Sequence, residues 1–132
     1  MGTVRQEITT TARPEQVWDA VRDFGSPHTR LVVGYLTDTT LDGGARIVTF
    51  ANGQTAREPI VTVDEQARRL VWSADSDVFA HYNASLQVFN TDGAGTRVVW
   101  TADFLPNETQ DWVAGMIGAG LVAMKTTLDG LK

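Results

Sequence analysis

An α+β fold, with one curved sheet of seven antiparallel strands around a long C-terminal helix, is predicted by three features of the 132-residue chain. The first is the stretch 111–132, which carries no charged side chain from Trp112 to Met124 and is long enough for about six helical turns. An uncharged run of that length fits a helix with most of its sides buried. The second is the stretch 35–104, where short segments rich in Val, Thr, Phe and Trp alternate with turn residues, as in an antiparallel meander. The third is the order of strand, helix, six strands and helix. A single sheet of this kind covers one apolar helix and leaves its other face to solvent.

Taken in order, residues 4–10 alternate through Val4, Gln6 and Ile8 and read as the first strand. Pro14 opens a helix, since its missing N–H costs nothing in a first turn whose donors are unpaired anyway, and Glu15 complements the helix dipole. Val17, Trp18 and Val21 give this helix a narrow apolar stripe, and Phe24-Gly25 ends it. Pro27 predicts a brief second helix or turn within residues 26–33. Strands follow at 35–41 and 45–50, joined by Asp42-Gly43-Gly44, whose Asp-Gly pair is a hairpin signal. After Asn52-Gly53 comes a strand over 54–63, broken at Pro59, which cannot donate to a ladder and marks an edge or a bulge. Strands over 70–74, 81–90 and 96–104 complete the meander, with turns or loops at 64–68, 76–80 and 91–95. Leu105-Pro106-Asn107-Glu108 leads into the last helix. There Gly115, Gly118 and Gly120 each cost about 1 kcal/mol relative to Ala. All three are expected to let the sheet or a ligand approach the helix backbone.

Apolar residues at 42% and charged residues at 20% describe an ordered globular chain, and residues 1–132 are expected to form a single domain. No run of 18 apolar residues survives once the glycines are discounted, and the first 13 residues lack the apolar core of a signal peptide. No stable membrane insertion and a cytoplasmic location are therefore expected. The absence of cysteine excludes disulfides, thiolate nucleophiles and thiolate metal sites. A net charge of -5, with Arg68-Arg69 as the one adjacent basic pair, argues against a nucleic-acid partner. His28 and His81, the two histidines, stand too far apart in the chain to suggest a metal site. No glycine pair leads into a helix as a phosphate loop does, and Ser73 and Ser85 have no activating histidine or nucleophile elbow. No cofactor is expected.

A resemblance runs through nearly the whole chain. Its residues are Ala12-Arg13-Pro14-Glu15-Gln16-Val17-Trp18 with Asp23-Phe24, then Gly44-Ala45-Arg46 running into Phe50-Ala51-Asn52-Gly53. It continues through Glu58, Asp64-Glu65 and Arg68-Arg69-Leu70, and closes with Tyr82, Gly95-Thr96, Trp100 and Phe104-Leu105-Pro106. In this order the sequence resembles the START-like (SRPBCC) superfamily. That superfamily includes bacterial polyketide cyclase/dehydrase-type proteins, birch-pollen-allergen-like proteins and plant abscisic-acid receptors. The resemblance implies a helix-grip fold. It does not single out a function, because the fold hosts binding proteins, lipid carriers and cyclases alike.

Strand parity chooses the face that such a cavity uses, because successive side chains point to opposite sides. Parity puts Leu70, Trp72 and Ala74 inward, and makes Val98, Trp100, Ala102 and Phe104 the apolar face of the last strand. The resemblance to the receptors turns Arg46, Val48 and Phe50 inward, with Tyr82, Ala84, Leu86 and Val88, and leaves His81, Asn83, Ser85 and Gln87 outside. On the final helix Trp112, Met116, Ala119 or Gly120, and Ala123 share a stripe. The expected lining therefore draws on Arg46, Val48, Phe50, Glu58, Ile60 and Trp72 from the earlier strands. Tyr82, Ala84, Leu86 and Trp100 complete the sheet wall, and Trp112, Met116 and Gly120 come from the helix.

Glu58 has Ile60 and Thr62 as parity partners and resembles a pocket-facing acidic residue of the receptors. Inside a cavity its pKa rises by desolvation unless Arg46 or another cation pairs with it. The alternative is an edge-strand Glu beside Pro59 that faces water. Tyr82 is a candidate hydrogen-bond donor or general acid, and otherwise a core residue with its hydroxyl satisfied locally. Glu58 and Tyr82 are the candidate catalytic residues. The Asn52-Gly53 turn and the loop 75–80 resemble the gate and latch positions of the receptors, yet the Ser-Gly-Leu-Pro gate and the His-Arg-Leu latch are absent. Residues 31–36 also lack the lysine that holds the ligand carboxylate there, so abscisic acid is not implied.

Three functions compete. The first is binding or carriage of a small hydrophobic molecule, such as a polyketide, a lipid or a hormone-like compound. The second is a polyketide cyclase or dehydratase that uses acid-base residues in the same cavity. The third is a stress-related interaction module with an incidental cavity. Monomer and homodimer remain open, with Trp18 and the loops around Phe79 as candidate dimer surfaces.

Overall fold

The computed structural model describes residues 1–91, 93 and 95–131. The alternating N-terminal segment is β1 (Gly2–Thr10), and Pro14 stands at the first position of α1 (Pro14–Arg22). The Arg13 backbone N–H donates to Gln16 Oε1 at 3.1 Å and closes the first turn. A single turn, α2 (Pro27–Arg30), precedes β2 (Leu36–Asp42), β3 (Ala45–Phe50), β4 (Thr55–Asp64), β5 (Arg69–Ser73), β6 (His81–Asn90) and β7 (Thr96–Leu105). A 3-10 turn at Asn107–Thr109 leads into α3 (Gln110–Asp129).

The seven strands form one antiparallel sheet in the order β1-β7-β6-β5-β4-β3-β2. β6 and β7 keep one register from His81 opposite Leu105 to Asn90 opposite Thr96. Of the predicted turn at 91–95 between them, positions 92 and 94 lie outside the described residues. With no slip, parity holds along both strands, and Tyr82, Ala84, Leu86, Val88, Val98, Trp100, Ala102 and Phe104 are all buried.

Parity fails in β4. Pro59 does not break this strand, which pairs with β3 through Ala45 opposite Pro59 and Arg46 opposite Glu58. What Pro59 interrupts is the ladder to β5, which reappears beyond it only as the bridge of Arg57 to Asp75. The register with β5 then shifts between Ile60 and Thr62. The extra residue turns Thr62 out to solvent and Val63 in toward the core, which corrects the expectation that Thr62 shares a face with Glu58.

α3 packs across the concave face through Val113, Ile117, Leu121, Met124 and Leu128, all buried. This is one stripe and not a helix buried on most sides, because Val122 is 71% exposed and Trp112 53%. The stripe of Trp112, Met116, Ala119 or Gly120, and Ala123 predicted from sequence is rotated by one position from the observed one, and of its members Gly120 is buried. Polar contacts tie the helix to β1. Thr10 Oγ1 donates to Asp129 Oδ1 at 2.6 Å, the Thr11 N–H to the same oxygen at 3.1 Å, and Gln6 Nε2 to the Ala114 carbonyl at 3.1 Å. Trp18 is buried and its indole N–H donates to Glu65 Oε2 at 3.0 Å, so it offers no free surface for a dimer.

Of the three helix glycines only Gly120 has a tight steric reason. A Cβ built there lies 2.7 Å from Trp100 Cζ3 and 3.0 Å from Cη2, whereas one at Gly115 meets nothing within 4 Å and one at Gly118 meets only Gln6 Oε1 at 3.4 Å. Gly120→Ala is expected to destabilise the fold by about 1–3 kcal/mol through overpacking against a buried indole. Gly115→Ala is expected to stabilise it by about 0.5–1 kcal/mol through helix propensity. Urea unfolding of the two variants beside the parent measures both signs.

Candidate functional site

β3 and β4 run antiparallel with Arg46 opposite Glu58, which sets a guanidinium beside a carboxylate on the concave face. Arg46 Nε donates to Glu58 Oε1 at 2.9 Å, with the two side chains 6% and 13% exposed. Arg46 also donates to the Phe24 carbonyl at 3.4 Å and lies 5.0 Å from the centre of the Trp72 ring. The Trp72 side chain adds a hydrogen bond to Glu58. Burial pushes the Glu58 carboxyl above its ordinary range, and the Arg46 charge and hydrogen bond oppose that shift without cancelling it. Glu58 therefore does not face water from an edge strand.

An inner cavity of about 50 Å³ opens beside this pair, bounded by α2 and the chain up to Leu36, by α3 at Met116 and Met124, and by the sheet. Arg46, Val48, Phe50, Glu58, Trp72, Tyr82, Leu86, Trp100 and Met116 line it, as the sequence leads one to expect of a pocket on this face. That volume holds water but no larger molecule. Beyond it lies an outer cleft of about 780 Å³, which shares Tyr35, Phe50, Glu58, Tyr82 and Met116 with the inner cavity. Its rim is the turn around Asn52, the loop from Ala74 to Phe79, and Trp112. The two loops that resemble gate and latch positions thus both border the cleft.

Ile60, Ala84 and Gly120 line neither space. Ala84 is buried at the centre of the sheet, Ile60 sits just before the bulge, and Gly120 is covered by Trp100. The sequence reading missed Tyr35, Leu31, Val32 and Met124 on the inner wall and Phe79 on the outer one. Tyr35, expected to open the strand 35–41, instead stands in the turn before β2, where strand parity does not apply. Its ring meets Phe50 edge-on at 5.6 Å.

At the mouth Phe79 stacks on Trp112, with centroids 5.6 Å apart and planes 13° from parallel, and approaches Tyr82 at 4.9 Å. Arg57 holds the base of this loop, pairing with Asp75 at 2.7 Å and with Asp42 at 3.0 Å. The Tyr35 and Tyr82 hydroxyls are both pushed up in pKa, by burial first and then by the Glu58 charge. The Trp100 indole N–H is buried and has no partner among the described residues. His81 is exposed, and no three metal-ligating side chains come together among the described residues. No described helix is long and apolar enough to cross a membrane.

The sequence model of one family, polyketide cyclase / dehydrase and lipid transport, matches residues 1–132. The chain belongs to that family. Among solved structures, this family member resembles the protein XoxI from Bacillus cereus, at 22% identity and TM-score 0.85, over 97% of this chain and 96% of that one. A solution structure from Thermobifida fusca is 30% identical with TM-score 0.78, over 98% and 91% of the two chains. Norcoclaurine synthase from Thalictrum flavum matches at TM-score 0.76 and 14% identity, over 98% and 94%, which is a likeness of fold. The START-like assignment and the helix-grip architecture expected from the sequence are thereby established. No functionally curated protein matches the chain.

Removing Arg46 leaves a buried carboxyl without its cation. Arg46→Met is expected to cost about 3–5 kcal/mol near neutral pH. A carboxyl with a raised folded-state pKa favours the fold below its unfolded pKa, and that contribution is lost as pH rises through the folded value. The deficit of the variant should therefore shrink when the pH is lowered from neutral into the acidic range, as Glu58 without Arg46 takes up its proton. Thermal melts of parent and variant at a neutral and an acidic pH test this, and equal deficits count against it.

Proposed function

We propose that the protein binds and carries a small hydrophobic molecule in the cleft between the sheet and the N-terminal half of α3. The observation that carries this reading is the pairing of an outer cleft of about 780 Å³ with aromatic walls from Tyr35, Phe50, Phe79, Tyr82 and Trp112. Ligand sites are concave, mostly apolar, about 300–1,000 Å³ in volume, and carry few polar groups. Here the polar groups deep in the site are Glu58, Arg46 and two phenols. The inner cavity is too small for a ring system, so the ligand body lies in the outer cleft with one end directed at Glu58 and the tyrosines. A polyketide, lipid or hormone-like compound meets these requirements.

A second reading has one observation in its favour. Glu58 is a buried carboxyl of raised pKa beside two phenols, a composition suited to moving a proton at a carbonyl. In that reading the cleft folds a poly-ketone for cyclisation or dehydration, with Glu58 as base and Tyr82 as acid. The pairing of Glu58 with Arg46 favours carriage, because a base already holding a guanidinium is a weak one.

Native mass spectrometry of protein purified from its own host tests the first reading, with a bound hydrophobic molecule of a few hundred daltons as the expected result. Met116→Trp, which fills the shared wall of the two cavities, is expected to weaken an environment-sensitive apolar dye by about tenfold, or about 1.4 kcal/mol. Its melting temperature should stay close to that of the parent. Undiminished dye binding in that variant would place the dye elsewhere and remove the cleft from the proposal.

A further inference from the structure

The outer face of α3 is the side of the helix that the sheet leaves unused. Asp111, Gly115, Ala119, Val122 and Thr126 recur along it at steps of three and four, and all are exposed. Val122 is the most exposed large apolar side chain among the described residues, and it projects from the uncharged run between Trp112 and Met124. About two turns away on the same face, a Cβ built at Gly115 meets nothing within 4 Å. No contact inside the chain therefore accounts for a poor helix former at that position. A projecting side chain and a notch thus share one face, and opposite charges stand at its two ends. Asp111 makes no ion pair among the described residues. Lys125 uses two of its three N–H donors, toward Asp129 at 3.3 Å and toward the Thr9 carbonyl.

We infer that this face docks on the same face of a second copy of the chain, with the two α3 helices antiparallel about a two-fold axis between positions 118 and 119. In that register Val122 of each copy lies opposite Gly115 of the other and enters its notch. Ala119 and Gly118 of the two copies meet at the axis, where the absence of long side chains lets the backbones approach. Asp111 comes to lie opposite Thr126 and beside Lys125 of the other copy, which joins the unpaired acid to a cation with a donor to spare. Asp129 stays turned to the sheet, held by Thr10 and Thr11. The occupant is a second copy because the face complements itself: projection, notch, acid and base occur once each per chain, and two-fold symmetry matches every one to its opposite. A parallel pairing sets Asp111 against Asp111 and Val122 against Val122. One helix face buries less than the roughly 1,200 Å² of a stable interface, so the dimer is a weak one. The inference is independent of the ligand-binding reading, since this face points away from the sheet.

Sedimentation equilibrium of the full chain, from micromolar to millimolar concentration, is expected to show a monomer to dimer equilibrium with a Kd of about 10–100 µM. Val122→Glu and Gly115→Leu, both at exposed positions, are each expected to weaken it by about tenfold or more while the circular dichroism spectrum stays that of the parent. Because the chain has no cysteine, single thiols report the register under oxidation by diamide. Ala119→Cys, close to the axis, is expected to give a disulfide-linked dimer, whereas Val122→Cys does so only when mixed with Gly115→Cys. A monomer at every concentration overturns the inference and leaves the face to a partner of another kind. A dimer that Val122→Glu leaves intact places the contact elsewhere and also overturns it. So does a Val122→Cys chain that links to itself while Ala119→Cys does not, since the helices are then not antiparallel about this axis. At micromolar concentration the chain is monomeric, so the gain expected for Gly115→Ala in urea stands beside this weakening of the dimer.

Discussion

The approach of α3 to the sheet is set by one contact, the six-membered ring of Trp100 against the backbone at Gly120. Trp100 sits on the central part of β7, paired with Gln6 on one side and Leu86 on the other, so the sheet cannot yield there. A side chain at position 120 would lift the helix and change the depth of everything along it. With hydrogen there, Ile117, Leu121, Met124 and Leu128 reach the sheet and are buried. The ties of Thr10 and Thr11 to Asp129 fix the C-terminal end of the helix. Space consequently remains toward the other end, at Met116 and Trp112, where the outer cleft lies.

Into that space the sheet presents an ion pair whose value for stability is low. Buried pairs give back in desolvation much of what they gain in attraction, and apolar side chains of similar volume often replace them at no loss. Arg46 and Glu58 are nevertheless hydrogen-bonded into their surroundings, through Phe24, Trp72 and one another. Their consequence is chemical: the pair places opposite charges at the bottom of an apolar cavity while leaving it near neutrality. Burial first, and then the Glu58 charge, raise the cost of ionising Tyr35 and Tyr82, which keeps both hydroxyls protonated as donors.

The meander from β2 to β7 was legible in its turns, and most inward faces were legible in the sequence because β6 and β7 run in unbroken register, so that a period of two carries from Tyr82 to Val88 and from Val98 to Phe104. β4 was legible as far as Ile60 and no farther. Its bulge follows from how β4 meets β5, a pairing between two strands that neither sequence announces alone. The helix failed for a different reason. With no charge from Trp112 to Met124 there is no polar face to set its phase, and a one-position rotation exchanges Met116 for Ile117 in the core stripe. Tyr35 escaped because the strand expected over 35–41 begins only at Leu36, so that Tyr35 points where no strand parity governs it. Glu58 was placed inward by resemblance, and the Arg46 partner that makes its burial tolerable is its direct cross-strand neighbour.

The same arrangement bears on the choice between carriage and catalysis. A general base has to reach its proton with a free lone pair, and it works best with a pKa near the working pH. Glu58 meets the second requirement in direction, since burial raises it, but one of its oxygens is held by Arg46 at 2.9 Å. A base working through its other oxygen is still weakened by the guanidinium beside it, and Arg46 has little room to move away beneath Trp72 and against the Phe24 carbonyl. Carriage requires no such movement. In the proposed carrier the pair would hold its place, with the two phenols at the polar end of the ligand and the stacked Phe79 and Trp112 beside the apolar remainder. The static packing around Arg46, more than the identity of the acid beside it, is what favours the proposed binding reading over the catalytic one.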